Sequence, residues 1–561
     1  MDSKMNNMGS NAKSSLKRDW REIVARKRRD QAQAIEGFLQ RQKKTKPSKY
    51  GIEICSLDHK TLLESLSRGD LTAESVALAY INRQGNRSAS RGMSTSIPNL
   101  DQRASYQPQT NCLTEVLFPQ ALQRSRELDE HFRRDGKPIG PLHGLPISLK
   151  DQFNVKGFDS TLGYVGRAYS PCTEDATLVT ILVRLGAVII AKTNIPQSIM
   201  MAETDNPVWG LTVNPNDPSF TPGGSSGGES ALLACKGSII GWGTDIGGSI
   251  RGPSSMMGLY GLKPSNGRLP YYNVAVSTEG QEHVPSVIGP MTRSLHSLSE
   301  ATKAVIDSQP WNLDPRCIAL PWRSEMYQEM LSRPLTVGVI WDDGVVRVHP
   351  PIRRALDHLV EKLKSAGHEI IPWDPTGHAD FIKIQDQYYT ADGGEDIRRD
   401  IAVCNEPFLP HVKALVDRGE PISVYQYWQL NRQKLNYQKM YLDRWNNTRA
   451  PISGRKVDVL LAPVMPHSAV PHNSCRWVGY TKVWNFLDYS ALTFPVTTIS
   501  KDIDMADPSY EPRNPMDEWN WNLYDSERMN AHPIGLQIIA QRLQEEKVLA
   551  AAKVFEDLLV D

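Results

Sequence analysis

Apolar side chains along this chain follow two different periods, and the switches between them mark the elements. Leu145, Ile147 and Leu149 alternate with Ser148 and Lys150. That is the two-residue period of a half-buried strand, with Lys150 at the end of its polar face. Residues 118–135 carry a helical pattern that stops before Gly136. Residues 173–185 read as another helix, with Thr173 as N-cap, Glu174 and Asp175 in the first turn, a shared apolar face of Leu178, Ile181, Leu182 and Leu185, and Gly186 as the stop. Residues 187–191 are then continuously apolar, as in a strand covered on both faces. The alternation recurs: strands over 335–340, 369–371, 457–462 and 534–539, and helices over 350–366 and 545–559. Such alternation predicts an α/β fold with a mixed β-sheet sandwiched between helical layers.

The N-terminal part is patterned differently. Residues 1–50 are rich in Lys, Arg and Gln, and Trp20, Ile23, Val24, Ile35 and Phe38 form one helical stripe. This predicts an N-terminal helical arm packed on a body formed by residues 51–561. The cluster Arg26-Lys27-Arg28-Arg29 reads as a solvated helical face. Residues 56–83 read as two helices parted at Gly69, with Thr72 capping the second. Residues 84–110 are polar and aperiodic, which predicts a surface loop or insertion.

Composition narrows the class. The chain has 561 residues, a net charge of +1 and seven cysteines with no C-x-x-C pair. The charge gives no reason to expect a nucleic acid or an anionic membrane as partner. Scattered cysteines in odd number point to reduced thiols, with neither a disulfide frame nor a zinc site. There is no apolar leader, and no apolar run reaches the ~18 residues of a membrane span. A cytoplasmic enzyme without metal or other cofactor is the expectation.

The chemistry is concentrated between residues 223 and 253, where two Gly/Ser loops flank one short helix and one strand. Glycine at that density offers nothing to a core, but it lets backbone N–H groups converge on one point. Several local matches fail. Gly223-Gly-Ser-Ser-Gly227 satisfies the nucleophile-elbow pattern, yet no histidine sits in a distinctive setting after it. The Gly-Lys-Ser/Thr ending of a phosphate loop is missing, and Gly241-x-Gly243 lacks the third glycine of a dinucleotide fingerprint. On local spacing alone, Lys150 beside Asp151 is read as a surface ion pair.

Three segments taken together are more specific. Gly144-Leu-Pro-Ile-Ser-Leu-Lys-Asp151, Thr221-Pro-Gly-Gly-Ser-Ser-Gly-Gly-Glu229 and Gly243-Thr-Asp-Ile-Gly-Gly-Ser-Ile-Arg251 closely resemble the signature blocks of the amidase signature family. The chain looks most like fungal acetamidase-type general amidases, from about residue 55 to the C-terminus, with the arm and the 84–110 loop outside the similarity. The resemblance implies that Lys150 is the base, Ser225 a bridging serine on a cis peptide bond, and Ser249 the nucleophile, 24 residues after Ser225. It implies that the N–H groups of Ile246, Gly247, Gly248 and Ser249 form an oxyanion hole, and that Ile199 lines the acyl pocket. Thr244, Asp245 and Arg251 become scaffold, Ser226 a loop-bonding residue and Cys235 core. The implied reaction is hydrolysis of a linear carboxylic acid amide, a small aliphatic or aryl one, to acid plus ammonia or amine. A homodimer is common in that family. A subunit of a glutamine amidotransferase and a silent binding protein are the alternative readings.

The residue types suit the chemistry. A serine hydroxyl needs a base, and lysine is one only when neutral, which burial favours. Two hydroxyls can then relay the proton without histidine.

Overall fold

The computed structural model describes residues 19–42, 53–88 and 110–560. Its centre is a single mixed sheet of eleven strands. In chain order they are β1 (Leu113–Val116), β2 (Pro146–Lys150), β3 (Val188–Thr193), β4 (Ile240–Asp245), β5 (Tyr260–Lys263), β6 (Val287–Thr292), β7 (Thr336–Val339), β8 (Glu369–Pro372), β9 (Val459–Pro463), β10 (Ser490–Thr498) and β11 (Pro533–Ala540). In space the order is β1-β3-β2-β4-β6-β5-β10-β11-β9-β7-β8. β2 pairs in parallel with both β3 and β4, and β7 with both β8 and β9, while the remaining pairs are antiparallel.

Helices cover both faces, so the mixed α/β architecture is as expected. The consequence for β2 is a correction: it is not half-buried. Ser148 and Lys150 are as inaccessible as Leu149 and Ile147. The polar side of the alternation therefore faces a second packed layer, not water.

Several boundaries fall where the caps dictate. The helices His59–Arg68 and Ala73–Ser88 are parted by Gly69 at φ +78°, and the Ser75 N–H is capped by the Thr72 hydroxyl at 3.1 Å. Helix Phe118–Asp135 ends at Gly136 in the left-handed region. The helix expected from residue 173 begins only at Thr177. Asp175 is used elsewhere, accepting from the Lys156 N–H at 2.7 Å. The polar stretch 84–110 also differs from expectation at its start, because the helix continues through Ser88; residues 89–109 lie outside the described residues.

The N-terminal helix Trp20–Gln42 buries Val24, Ile35 and Phe38, and Phe38 meets Phe118 edge-on at 5.3 Å. Its basic cluster is a solvated face at Arg26, Arg28 and Arg29, which are exposed as expected, but not at Lys27. Lys27 is buried between Glu115 at 2.5 Å and Asp159 at 2.6 Å, and Arg28 donates to the Val208 and Pro207 carbonyls. No helix among the described residues is long and apolar enough to cross a membrane.

Candidate active site

β2, β3 and β4 run parallel, so their C-terminal ends open on one edge of the sheet. Lys150 ends β2, and Thr244 and Asp245 end β4. The Gly/Ser loop before helix Gly227–Ala234 supplies Ser225, and the loop after β4 supplies Ser249. This is the crevice outside the carboxyl ends of parallel strands, where α/β sheets commonly bind ligands.

Lys150 is completely buried, and its Nζ lies 2.7 Å from Ser225 Oγ and 2.8 Å from Thr244 Oγ1. Burial pushes its amine down to about 7, against the opposing pull of Asp245, Glu229 and Asp151. Among the described residues no carboxylate hydrogen-bonds it, so the expected ion pair with Asp151 is not formed. Asp151 instead accepts from the Thr161 hydroxyl and the Leu162 N–H.

The hydrogen bonds around the amine have a fixed direction. The Gln152 amide nitrogen donates to the Ala275 carbonyl at 2.9 Å, which turns its Oε1 toward Thr244. Thr244 donates its one proton to that oxygen at 2.6 Å. Its oxygen must therefore accept from Lys150. A neutral amine held this way has its lone pair free for the Ser225 proton.

The peptide bond between Gly224 and Ser225 is cis. The Ser226 N–H donates to the Ser249 carbonyl at 3.2 Å, which ties the two loops together. Ser225 and Ser249 line one cavity of about 540 Å³, together with Thr244, Ile246, Ile199 and Met200. Among the described residues their two side chains do not bond each other; such bonds commonly tighten only when substrate binds. The Ser226 hydroxyl departs from expectation, being buried without a partner. Cys235 is buried just after helix Gly227–Ala234, as expected for core. Trp209 packs under the N-terminal helix, against Val24 and Val165, and Met201 joins the apolar cluster around Ile199.

The loop after β4 is held from inside by Asp245. Burial alone would raise its carboxyl, but Arg251, 3.0 Å away, outweighs burial and holds it well below the usual carboxylate range. Asp245 accepts from the N–H groups of Gly248 at 2.8 Å and Ile250 at 3.1 Å. The Gly248 N–H is thus already engaged, which removes one of the four donors expected from sequence. Those of Ile246, Gly247 and Ser249 donate to no acceptor among the described residues.

Sequence reasoning missed the groups behind this loop. The Ile246 carbonyl accepts from the Tyr389 hydroxyl at 2.7 Å and the Gln385 amide at 3.0 Å, and the Gly247 carbonyl accepts from Thr481 Oγ1 at 2.7 Å. These residues come from helices His378–Tyr389 and Gly479–Phe486, far along the chain. Beneath the amine, Glu229 is fully buried and held by the hydroxyls of Ser148 and Thr193, the latter at 2.7 Å. Burial pushes its carboxyl up to about 7 against those two donors.

Comparison with known proteins gives the family. The family model described as Amidase matches residues 98–549. Amidase 1 of Gibberella moniliformis is 51% identical over 97% of this chain and 100% of its own length. That coverage takes in most of the N-terminal arm, which sequence reasoning had placed outside the similarity. The acetamidase of Emericella nidulans is 39% identical over 89% of this chain and 88% of its own. A solved fatty acid amide hydrolase superposes with a TM-score of 0.82 at 32% identity, covering 97% of this chain and 90% of that one. The chain therefore belongs to the amidase family and is an amide hydrolase.

Proposed function

We propose that this enzyme cleaves a linear carboxylic acid amide through an acyl intermediate on Ser249, with Lys150 as the general base and Ser225 as the group between them. The Ser249 oxygen adds to the amide carbonyl carbon. Its proton passes to Ser225, whose own proton moves to the Lys150 amine. The oxyanion is met by backbone N–H groups of residues 246, 247 and 249. Collapse breaks the C–N bond, and the leaving nitrogen takes the proton back from Lys150 through Ser225. Water then attacks the ester on Ser249 by the same proton route, releasing the acid.

The single observation that carries this reading is the buried Lys150 amine, 2.7 Å from Ser225 Oγ, with hydroxyls and no carboxylate as its hydrogen-bond partners. Such an amine is neutral in part near pH 7 and fully so above it, and in that form it can accept a proton, which an ammonium cannot.

The substrate proposed is a small aliphatic or aryl amide. The relatives named acetamidase favour the short aliphatic end. The cavity of about 540 Å³ favours larger members as well, since sites of roughly 300–1,000 Å³ take drug-sized ligands. Ile199 and Met200 supply an apolar wall beside Ser249. The seven cysteines form no disulfide with one another, in keeping with work in the cytosol.

Ammonia or amine release from a panel of amides graded by acyl size, with fluorophosphonate labelling of Ser249, tests the reading. Lys150→Ala and Ser249→Ala are expected to abolish turnover with the fold retained. Near-normal turnover by Ser249→Ala refutes it.

A further inference from the structure

The loop that presents residues 246–249 is flexible by composition, since it contains Gly247 and Gly248. Something outside the loop must fix its orientation. The Ile246 carbonyl accepts two hydrogen bonds from one helix, His378–Tyr389: from the Tyr389 hydroxyl at 2.7 Å and from the Gln385 amide at 3.0 Å. The Gln385 amide also donates to the Tyr389 oxygen, at 2.5 Å, so the phenol's single proton is directed at Ile246. Tyr389 sits close behind the loop: a Cβ on Gly247 would lie 2.9 Å from its hydroxyl oxygen.

A trans peptide is planar, with its C=O and N–H pointing in opposite directions. Fixing the Ile246 carbonyl against Tyr389 therefore fixes the direction of the Gly247 N–H. That N–H donates to no acceptor among the described residues. Hydrogen bonds to the carbonyl side of a peptide also polarise its N–H, strengthening it as a donor.

Taking Ser249 as the nucleophile proposed above, we infer that Tyr389 is a positioning residue for the reaction, which holds the Ile246–Gly247 peptide so that the Gly247 N–H meets the oxygen of the tetrahedral intermediate. Gln385 is its support. Burial pushes the Tyr389 phenol up, so it remains a donor across the working pH range. Tyr389 touches no reacting atom. Its removal leaves substrate binding largely intact and weakens what the enzyme holds only at the transition state.

The test compares wild type with Tyr389→Phe on one amide substrate and on the matching trifluoromethyl ketone, whose adduct with the nucleophilic serine carries an oxyanion. Loss of a complete oxyanion donor costs about 10²–10³-fold in kcat. Gln385 still holds the carbonyl, so a smaller loss, about 10- to 50-fold, is expected in kcat. A similar loss is expected in ketone affinity, with KM within about threefold and little change in Tm. If Tyr389→Phe unfolds, Gln385→Met is expected to show the same pattern on a smaller scale. The inference is overturned if kcat stays within about twofold, or if kcat falls while ketone affinity, scaled by KM, is retained. Fluorophosphonate labelling of wild-type Ser249 separates the two levels. Absence of labelling refutes the nucleophile, whereas labelling with an unchanged Tyr389→Phe enzyme refutes only the role of Tyr389.

Discussion

The Thr244 hydroxyl donates to Gln152 Oε1 at 2.6 Å, and this one bond decides the direction of every other bond at the lysine amine. A hydroxyl has a single proton. Once Gln152 holds it, Thr244 can only accept from Lys150, and the amine lone pair is left for Ser225. The anchor is the Ala275 carbonyl, which fixes which way the Gln152 amide points.

Removing the Gln152 acceptor frees Thr244 to donate into the lone pair and to compete with Ser225. Gln152→Met is therefore expected to lower kcat about tenfold, the worth of one neutral hydrogen bond, with a small change in KM. Gln152→Glu keeps the acceptor but adds a negative charge near Lys150, which favours the ammonium. The acid limb of its pH–rate profile is expected to move to higher pH. Unchanged kcat in Gln152→Met together with an unmoved limb in Gln152→Glu refutes the directed chain.

The pH dependence of the wild type follows from the same amine. Only neutral Lys150 accepts a proton, and burial holds it at about 7. Activity is thus expected to fall as pH drops through about 7, as an acid limb in kcat/KM. Glu229, fully buried and itself pushed up to about 7, titrates in the same range, so the limb belongs to the pair. An ionised Glu229 favours the ammonium. Glu229→Gln is expected to move the limb to lower pH, opposite in sign to Gln152→Glu. A limb that moves upward refutes the coupling.

The close approach of helix Gly479–Phe486 makes position 248 intolerant of any side chain. A Cβ on Gly248 would lie 2.3 Å from Thr481 Oγ1, and φ is +127° there. Gly248→Ala is expected to cost about 1–3 kcal/mol of stability and to lower kcat sharply, because the loop must shift by more than oxyanion geometry tolerates. Thermal melting and turnover of the same preparation check both parts. An alanine variant with normal kcat refutes the tight placement of the loop.

The site divides by how local its causes are. The meeting of Lys150, Ser225 and Ser249 at one crevice was legible because their blocks are contiguous and the family spacing is specific. The helices ending at Gly69 and Gly136 were legible because glycine caps are local signals. β6 and β10 were not, since each contains a proline, and β6 a glycine as well, which argue against a strand when read alone. In β10 the register shifts just after Pro495, so the sheet absorbs the residue that hid the strand. Tyr389, Gln385 and Thr481 were invisible because they reach the loop only through tertiary packing, across more than a hundred residues. The burial of Ser148 and Lys150 was misread for the same reason: a period of two distinguishes the faces of a strand, not what covers them.

The basic cluster of the N-terminal helix offers the clearest measure of what the arm does. Lys27 is buried 2.5 Å from Glu115 and 2.6 Å from Asp159. Asp159 in turn accepts from the Tyr169 N–H at 2.7 Å, and its carbonyl takes the Lys192 amine, whose strand β3 lies beside β2. One side chain thus joins the arm to the sheet that carries Lys150. Burial works against the Lys27 ammonium, but the two carboxylates overcome it and hold its pKa above the ordinary lysine value. Lys27→Met leaves both carboxylates buried and unpaired, and breaking such a pair typically costs about 3–5 kcal/mol. Glu115 is less buried than an interior acid, so the lower end of that range is expected, read as a lower denaturation midpoint with an unchanged m-value. Arg29, exposed on the same helix, serves as the control, and Arg29→Met is expected to shift the midpoint by less than about 0.5 kcal/mol. Equal effects of the two substitutions would mean that the arm is held by its apolar stripe alone.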